Sequence, residues 1–215
     1  RPAVGRPKNI YNRRFWAQVP NLADLMPSAQ HWRNAGTDAS PFWDRLYLVP
    51  GKKLLFMGAE FAQWESWHSD ASLDWHLLAF PFQSGVLRLV GDLNCLYRRE
   101  QALHRSDSLP VGFEWVEPHD AEQSTLSWLR RDPQRREVLL VVANFTPVVR
   151  RNFRVGVRRS GSWREILNSD AKEYGGSGQG NFGGLNTSPF SSHGLPYTLS
   201  LTLPPLALLV FKHED

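Results

Sequence analysis

Side chains that could take part in binding or catalysis are concentrated between residues 59 and 83 of this sequence. Carboxylates, amides, imidazoles and indoles are denser here than a simple connection between two elements requires. Glu60 and Gln63 can hydrogen-bond to sugar hydroxyls, or they can support the loop itself. Trp64 and Trp67 can stack on the apolar faces of pyranose rings, or they can anchor the loop by packing. We therefore interpret these four residues as candidates for a sugar-binding site.

The same region does not predict metal or disulfide chemistry. His68 and His76 are eight residues apart and lack the His-x-x-x-His or Glu-x-x-His spacing of a metal site. Cys95 is the single cysteine, so no disulfide can form within the chain, and its apolar neighbours predict a small buried side chain. Asp74 is predicted to begin a short helical turn, where free backbone N–H groups favour a carboxylate.

Composition narrows the classes of partner. The formal charge is +4, and the arginines form short pairs at predicted strand ends instead of a continuous basic stripe, so a nucleic-acid partner is not expected. Nine tryptophans in 215 residues are consistent with sugar binding as well as with core packing. No apolar stretch has the roughly 18–20 residues of a membrane span, and no signal peptide is recognised. A cytoplasmic location is the resulting expectation.

The periodicity predicts a β/α unit followed by short strands. Residues 54–58 form an apolar run closed by glycine, which predicts a strand buried on both faces. After the polar loop, Ser84 is predicted to cap a helix whose apolar face ends near His104. Six prolines in the first fifty residues interrupt every candidate helix, so residues 1–50 carry no clear structural prediction.

Beyond Ser108, alternating and apolar runs predict seven strands of an antiparallel sandwich. Trp115, Trp128 and Trp163 lie within them and are predicted to point into the sandwich. Asp170 precedes a glycine-rich stretch at 174–184, which we interpret as a surface loop because no strand and helix flank it as in a phosphate-binding loop. The predicted strands are residues 113–117, 124–131, 137–145, 152–157, 163–167, 198–203 and 206–212.

Several blocks of this sequence resemble one enzyme family in order and spacing. Residues 51–63 and 69–78 are similar to an eighth barrel strand with its loop, residues 85–98 to the helix that follows, and residues 112–115 to the entry of a C-terminal domain. Further blocks are Asn144-Phe145-Thr146-Pro147, residues 163–170, Tyr174-Gly175-Gly176-Ser177, His193-Gly194 and residues 200–207. They extend over about 165 of 215 residues. By these motifs the chain resembles bacterial 1,4-α-glucan (glycogen) branching enzymes of the α-amylase superfamily.

The resemblance implies a fold and a reaction. The expected fold is mainly β: the final β/α unit of a (β/α)₈ barrel, followed by an α-amylase-type all-β C-terminal sandwich. The implied reaction cuts an α-1,4 bond in a glucan and transfers the segment to a 6-hydroxyl, making an α-1,6 branch. Retention by double displacement requires a nucleophilic carboxylate and a carboxylic acid about 5 Å apart, and no metal or organic cofactor.

The resemblance places the catalytic acids outside this sequence. In the family they follow the fourth and fifth barrel strands, which would precede Arg1, and a third lies in a His-Asp-Glu motif after the seventh. Residues 1–50 contain no such triplet, and the nearest look-alike is His119-Asp120-Ala121 between two predicted strands. We therefore assign no catalytic residue, and the chain is expected to be inactive alone.

The sequence thus predicts three segments and a glucan partner. They are an unmatched segment at 1–50, the end of the catalytic barrel at 51–108 and an all-β domain at 109–215. The expected partners are α-glucans such as glycogen or amylose-like chains, together with the N-terminal part of the enzyme. The alternative is a non-catalytic glucan-binding β module.

Overall fold

The computed structural model describes residues 48–53, 55, 58–64, 70–134 and 136–214. Residues 1–47, most of the strand predicted at 54–58, and Trp67 and His68 lie outside the described residues. Among the helices within these ranges, none combines the length and apolarity that crossing a membrane requires.

The principal helix, α1, spans Pro81–Arg99. Pro81 occupies its first turn, where the missing N–H costs nothing and the fixed φ suits a helix. The prediction that Ser84 caps this helix is wrong, because the helix begins three residues earlier and the Ser84 hydroxyl donates to the Pro81 carbonyl at 3.0 Å. The predicted end near His104 is also wrong. Glu100 is extended, and a separate 3₁₀ turn covers Gln101–Leu103.

Helix α1 buries one face, as the periodicity predicts, but Cys95 lies outside it. Five apolar positions spaced by one, three or four residues are buried, from Val86 to Leu96. Cys95 is an exposed free thiol, so the prediction of a buried side chain is wrong. Its neighbours in sequence are apolar, but the helical turn directs Cys95 away from the stripe that they form.

The region after α1 is all-β, as predicted, and every predicted strand overlaps an observed one. One additional strand, β6, was not predicted. The strands in the described residues are β1 (Phe113–Glu117), β2 (Thr125–Arg131), β3 (Val138–Asn144), β4 (Arg150–Val157), β5 (Ser162–Asn168), β6 (Gly184–Asn186), β7 (Tyr197–Leu203) and β8 (Leu208–Glu214).

The strands form two antiparallel sheets with a helix on one outer face. Six strands pair in the order β1-β2-β3-β8-β5-β6, and β4 pairs with β7 in a second sheet. All seven residues of β2 and of β3 are buried because both faces of the large sheet are covered. Side chains of the β4–β7 sheet pack on one face, and side chains of α1 pack on the other.

The two apolar clusters correct the predicted positions of the tryptophans. Trp163 is buried between the sheets, as predicted. Trp128 is equally buried, but it packs with Leu89 and Leu93 of α1 on the opposite face of the large sheet. Trp115 is half-buried beside Trp128, with 6.0 Å between ring centroids. Strand alternation fixes which residues share a face, but it does not show what covers that face.

Candidate functional site

The loop that carries the candidate sugar-binding residues starts with a tight turn. Ala59–Phe61 form a 3₁₀ turn between two left-handed residues, Gly58 at φ 76° and Ala62 at φ 53°. The Gln63 N–H donates to the Gly58 carbonyl at 3.0 Å and closes the turn. A Cβ on Gly58 would collide with the Gln63 side chain, so both the positive φ and the close approach require glycine here.

Gln63 connects this turn to the next one. Its side-chain oxygen accepts the backbone N–H of Asp74 at 3.1 Å. Asp74 precedes a 3₁₀ turn at Trp75–Ala79, so it begins a helical turn as predicted, although within the described residues its carboxylate makes no capping hydrogen bond. Glu60 lies half-buried in the preceding turn. These contacts give the loop a defined shape.

Four large aromatic side chains of this region are exposed, and we refer to them together as the aromatic cluster: Trp64, Trp75, Phe80 and Phe82. Between 45% and 55% of each residue's surface is exposed. Trp64 stacks on Phe80 at 6.0 Å between ring centroids, and Trp75 stacks on the buried Phe61 at 5.4 Å. Sequence reasoning selected Trp64 but did not single out the other three members as candidate contact residues. Trp67 lies outside the described residues.

Arg130 joins the segment before the loop to the β domain. Its side chain is fully buried and forms an ion pair with Asp107. It donates to the Leu48 carbonyl at 3.3 Å and to the Leu103 carbonyl at 2.9 Å. Trp128 donates its indole N–H to the same Leu48 carbonyl at 3.1 Å. One buried guanidinium therefore joins three separate parts of the chain.

Lys53 adds a second cation to the buried joint, as we call the contacts of Arg130 with Asp107, Leu48 and Leu103. Its ammonium donates to the carbonyls of Val49 and Gly51, both at 2.7 Å, and lies 3.8 Å from the Asp107 carboxylate. It also lies 5.1 Å from the centroid of the Tyr97 ring. Burial lowers the pKa of Lys53 to about 8, although the negative charge of Asp107 acts in the opposite direction.

The glycine-rich stretch is an ordered surface loop built around Asp170. The Asp170 carboxylate accepts hydrogen bonds from the backbone N–H and hydroxyl of Ser177 and from the Gln179 N–H at 3.1 Å. Its carbonyl accepts the Gly178 N–H at 2.7 Å. These bonds agree with our interpretation of Asp170 as a turn residue and with a loop that binds its own backbone.

A cleft of about 410 Å³ lies between strand β5 and this loop. Glu165 lines it, and burial raises the pKa of its carboxyl, although hydrogen bonds from Asn181 oppose that shift. Tyr174 lines it from the other side and donates its hydroxyl to Asp92 at 2.7 Å. The next residue, Gly175, approaches the Phe82 ring, so the cleft and the aromatic cluster are adjacent.

The His119-Asp120-Ala121 look-alike belongs to the connection between β1 and β2. The Asp120 carboxylate accepts the Thr125 hydroxyl at 2.8 Å and the Gln123 N–H at 3.2 Å. Asp120 therefore closes a turn. Within the described residues, no group of three or more His, Cys, Asp or Glu side chains is placed to hold a metal ion.

Comparisons with known proteins identify the relatives of this chain. Residues 115–214 match the family described as alpha amylase, C-terminal all-beta domain. The 1,4-alpha-glucan branching enzyme GlgB of Aquifex aeolicus is 58% identical over 169 residues, which cover 79% of this chain and 27% of that enzyme. The chain belongs to the glycogen branching enzyme family. It corresponds to the C-terminal part of those enzymes and spans about a quarter of the length of the relatives that it matches.

Other branching enzymes match more of the chain. The 1,4-alpha-glucan branching enzyme GlgB of Pseudomonas putida is 49% identical over 192 residues, or 89% of this chain and 26% of that enzyme. Residues 51–215 number 165, so this match must also include part of the first fifty residues. The similarity to that relative therefore extends beyond the motifs that define the resemblance.

A solved structure supports the fold alone. The crystal structure of Ttha1563 from Thermus thermophilus superposes with a TM-score of 0.57 and 18% sequence identity. It covers 85% of this chain and 32% of that protein's chain. A likeness at this identity extends to the arrangement of helix and sheets and carries no functional conclusion.

Proposed function

We propose that this chain is the C-terminal portion of a 1,4-α-glucan branching enzyme, that it contacts the glucan, and that carboxylates outside this sequence carry the transfer chemistry. The observation that carries this proposal is the exposed aromatic cluster on a loop whose sequence resembles the loop after the family's eighth barrel strand. Several exposed aromatic side chains within one loop are typical of interaction sites on proteins. The proposed partner is the α-glucan that branching enzymes act on.

The chemistry of the cluster supports a sugar as the ligand. The faces of Trp64 and Trp75 are flat and apolar, and each ring is held from behind by another aromatic ring. A glucan chain presents apolar pyranose faces rimmed by hydroxyls, which suits stacking on such rings. Glu60 and Gln63 lie in the turn next to Trp64, and we propose that they and Trp67 complete the contact with the sugar. The cleft beside Tyr174 is adjacent to Phe82 and adds a polar surface next to the aromatic rings.

Catalysis by this chain alone is not part of the proposal. Retaining transfer requires two carboxyl groups about 5 Å apart on opposite sides of the scissile bond. Glu60 is the single carboxylate among the proposed contact residues. In the proposed assignment, residues 51–108 are the end of the catalytic barrel, and the rest of that barrel supplies the acids.

Substitution of Trp64 by alanine tests the glucan contact. The wild-type chain is expected to migrate more slowly in a native gel that contains glycogen, and Trp64→Ala should weaken the apparent affinity about 3- to 10-fold through loss of a stacking face. Leu109→Ala is the control, because Leu109 has a similar exposed fraction, 46%, outside the aromatic cluster. Equal retardation of wild type and Trp64→Ala would contradict the proposed contact.

A further inference from the structure

Phe182 has a fully exposed side chain and an unfavourable backbone conformation. Its relative exposure is 106%, so none of its side chain is buried. Its φ is +54°, in the left-handed region that bulky side chains seldom adopt. Neither burial nor backbone preference explains a phenylalanine at this position.

Hydrogen bonds on both sides of Phe182 fix the turn that carries it. Asn181 is buried, and its backbone N–H and side-chain amide donate to the Glu165 carboxylate at 3.1 and 2.8 Å. The Asn181 side chain also donates to the Thr202 carbonyl and accepts the Thr202 N–H. On the other side of Phe182, the Gly183 carbonyl accepts the Glu165 N–H at 3.0 Å. The ring is therefore presented from a preorganised support.

A second exposed phenylalanine belongs to a segment that is also bonded to strand β7. Phe190 is 70% exposed, and its carbonyl accepts the Thr198 hydroxyl at 2.6 Å. Thr198 and Thr202, the two anchors, are four residues apart on β7, which separates them by about 13 Å. The Thr198 backbone pairs with Ser188, and the Thr202 backbone pairs with the Asn181 side chain. Residues an even number apart direct their backbone groups to the same edge of a strand. The backbone segments that carry the two exposed rings therefore lie along one edge of the small sheet.

The stretch of chain that connects these rings carries no charged side chain. Residues 174–192 contain no Asp, Glu, Lys or Arg, in a chain in which 21% of residues are charged. The exposed residues between the two rings are glycine, asparagine, serine and proline. A segment without charged side chains offers no electrostatic attraction of its own to phosphates or to acidic peptides. Flat rings in a neutral polar surrounding suit an uncharged chain of sugar rings.

We infer that Phe182 and Phe190 form a second glucan-binding surface on the β domain, separate from the aromatic cluster. Each ring stacks on a pyranose face, and the distance between their anchors requires an oligosaccharide instead of a single sugar. The identity of the ligand rests on the proposed function, because an α-glucan is the uncharged sugar chain that branching enzymes act on. The surface would hold the chain at a distance from the reacting bond.

Titration of maltoheptaose into the full chain tests this inference. Phe182→Asn should weaken binding about 3- to 10-fold, because it removes one stacking face. Asparagine tolerates a positive φ, so the variant should melt at a temperature no lower than that of the wild type. Phe182→Trp, which keeps a flat face, should bind at least as tightly as the wild type. Val148→Asn is the control, because Val148 is 55% exposed in another loop.

The possible outcomes separate this inference from the proposed function. Unchanged binding by Phe182→Asn, together with weaker binding by Trp64→Ala, would overturn the second surface and leave the proposed function in place. Absence of any binding by the wild type would overturn both. A concentration-dependent dimer that Phe182→Asn converts to a monomer, with unchanged sugar binding, would also overturn the inference and identify the surface as a contact between two copies of the chain.

Discussion

Replacement of Arg130 by methionine is expected to lower the free energy of unfolding by about 3–4 kcal/mol. The buried guanidinium binds Asp107 and the carbonyls of Leu48 and Leu103, and methionine satisfies none of these groups. Leu48 retains its bond from Trp128, and Asp107 retains Lys53 at 3.8 Å, which places the loss toward the lower end for a broken buried pair. Urea unfolding of both proteins, followed by tryptophan fluorescence, measures the difference.

Arg158→Met is the matched control for Arg130→Met. Arg158 also forms an ion pair, with Glu114, but 57% of its side chain is exposed, so its loss should cost less than about 1 kcal/mol. Similar losses for the two variants would contradict the account, since the buried joint would then contribute no more than a surface pair.

Replacement of Lys212 by methionine should lower the free energy of unfolding by about 2–3 kcal/mol at neutral pH. Lys212 donates to Glu100 at 2.6 Å and to Glu137 at 2.7 Å, and Glu137 in turn accepts the Ala102 N–H after helix α1. The Glu100 side chain is only 2% exposed, so loss of Lys212 leaves a buried carboxylate whose described cationic partner is Arg99. The exposed 28% of Lys212 keeps the expected loss below that of a fully buried pair.

The pH dependence of this second variant has a defined sign. Burial alone would raise the pKa of Glu100, but hydrogen bonds from Lys212 and Arg99 hold it below its ordinary value of 4.5. A lowered carboxyl pKa stabilises the folded state above the ordinary value, and that contribution is lost as the pH falls through the folded-state pKa. The wild type and Lys212→Met should therefore differ most at neutral pH and converge on acidification.

Alkaline pH should also reduce the difference in free energy of unfolding between the wild type and Lys212→Met. Burial tends to lower the pKa of Lys212, but Glu100 and Glu137 raise it above 10.5. Its contribution is therefore complete below 10.5 and is lost as the pH rises through the folded-state pKa. Lys52→Met is the control, because Lys52 is exposed. A difference between wild type and Lys212→Met that stays constant from neutral to strongly acidic pH would contradict this ion-pair assignment.

Most of the fold was predictable because strand alternation and turn residues are local signals. All seven strands predicted after residue 108 overlap an observed strand, since each carries enough apolar residues to show its pattern. Strand β6 was missed because its three residues, Gly184–Asn186, have no pattern of their own. That strand exists through pairing with β5, and pairing between distant segments is not visible in a local sequence.

The positions of individual side chains were less predictable. The burial of Trp128 follows from its strand, but its contact with α1 depends on how helix and sheet dock. Cys95 was misplaced because apolar neighbours in sequence are not neighbours on a helix. Residue type selected Trp64 as a candidate contact residue, whereas the exposure of Phe80, Phe82 and Phe182 depends on tertiary packing. The uncharged stretch at 174–192 was visible in the sequence and could have directed attention to Phe182.

The most direct test of the central proposal measures new α-1,6 linkages on amylose. Residues 51–215 of this chain would replace the corresponding segment of the Aquifex aeolicus branching enzyme, which is 58% identical over the aligned residues. We expect the chimera to branch amylose and this chain alone to form no branches. A chimera that melts like the parent enzyme but forms no α-1,6 linkages would contradict the proposal, as would appreciable branching by the chain alone. Glycogen retardation by a chain whose folded chimera is inactive would instead support a non-catalytic glucan-binding module.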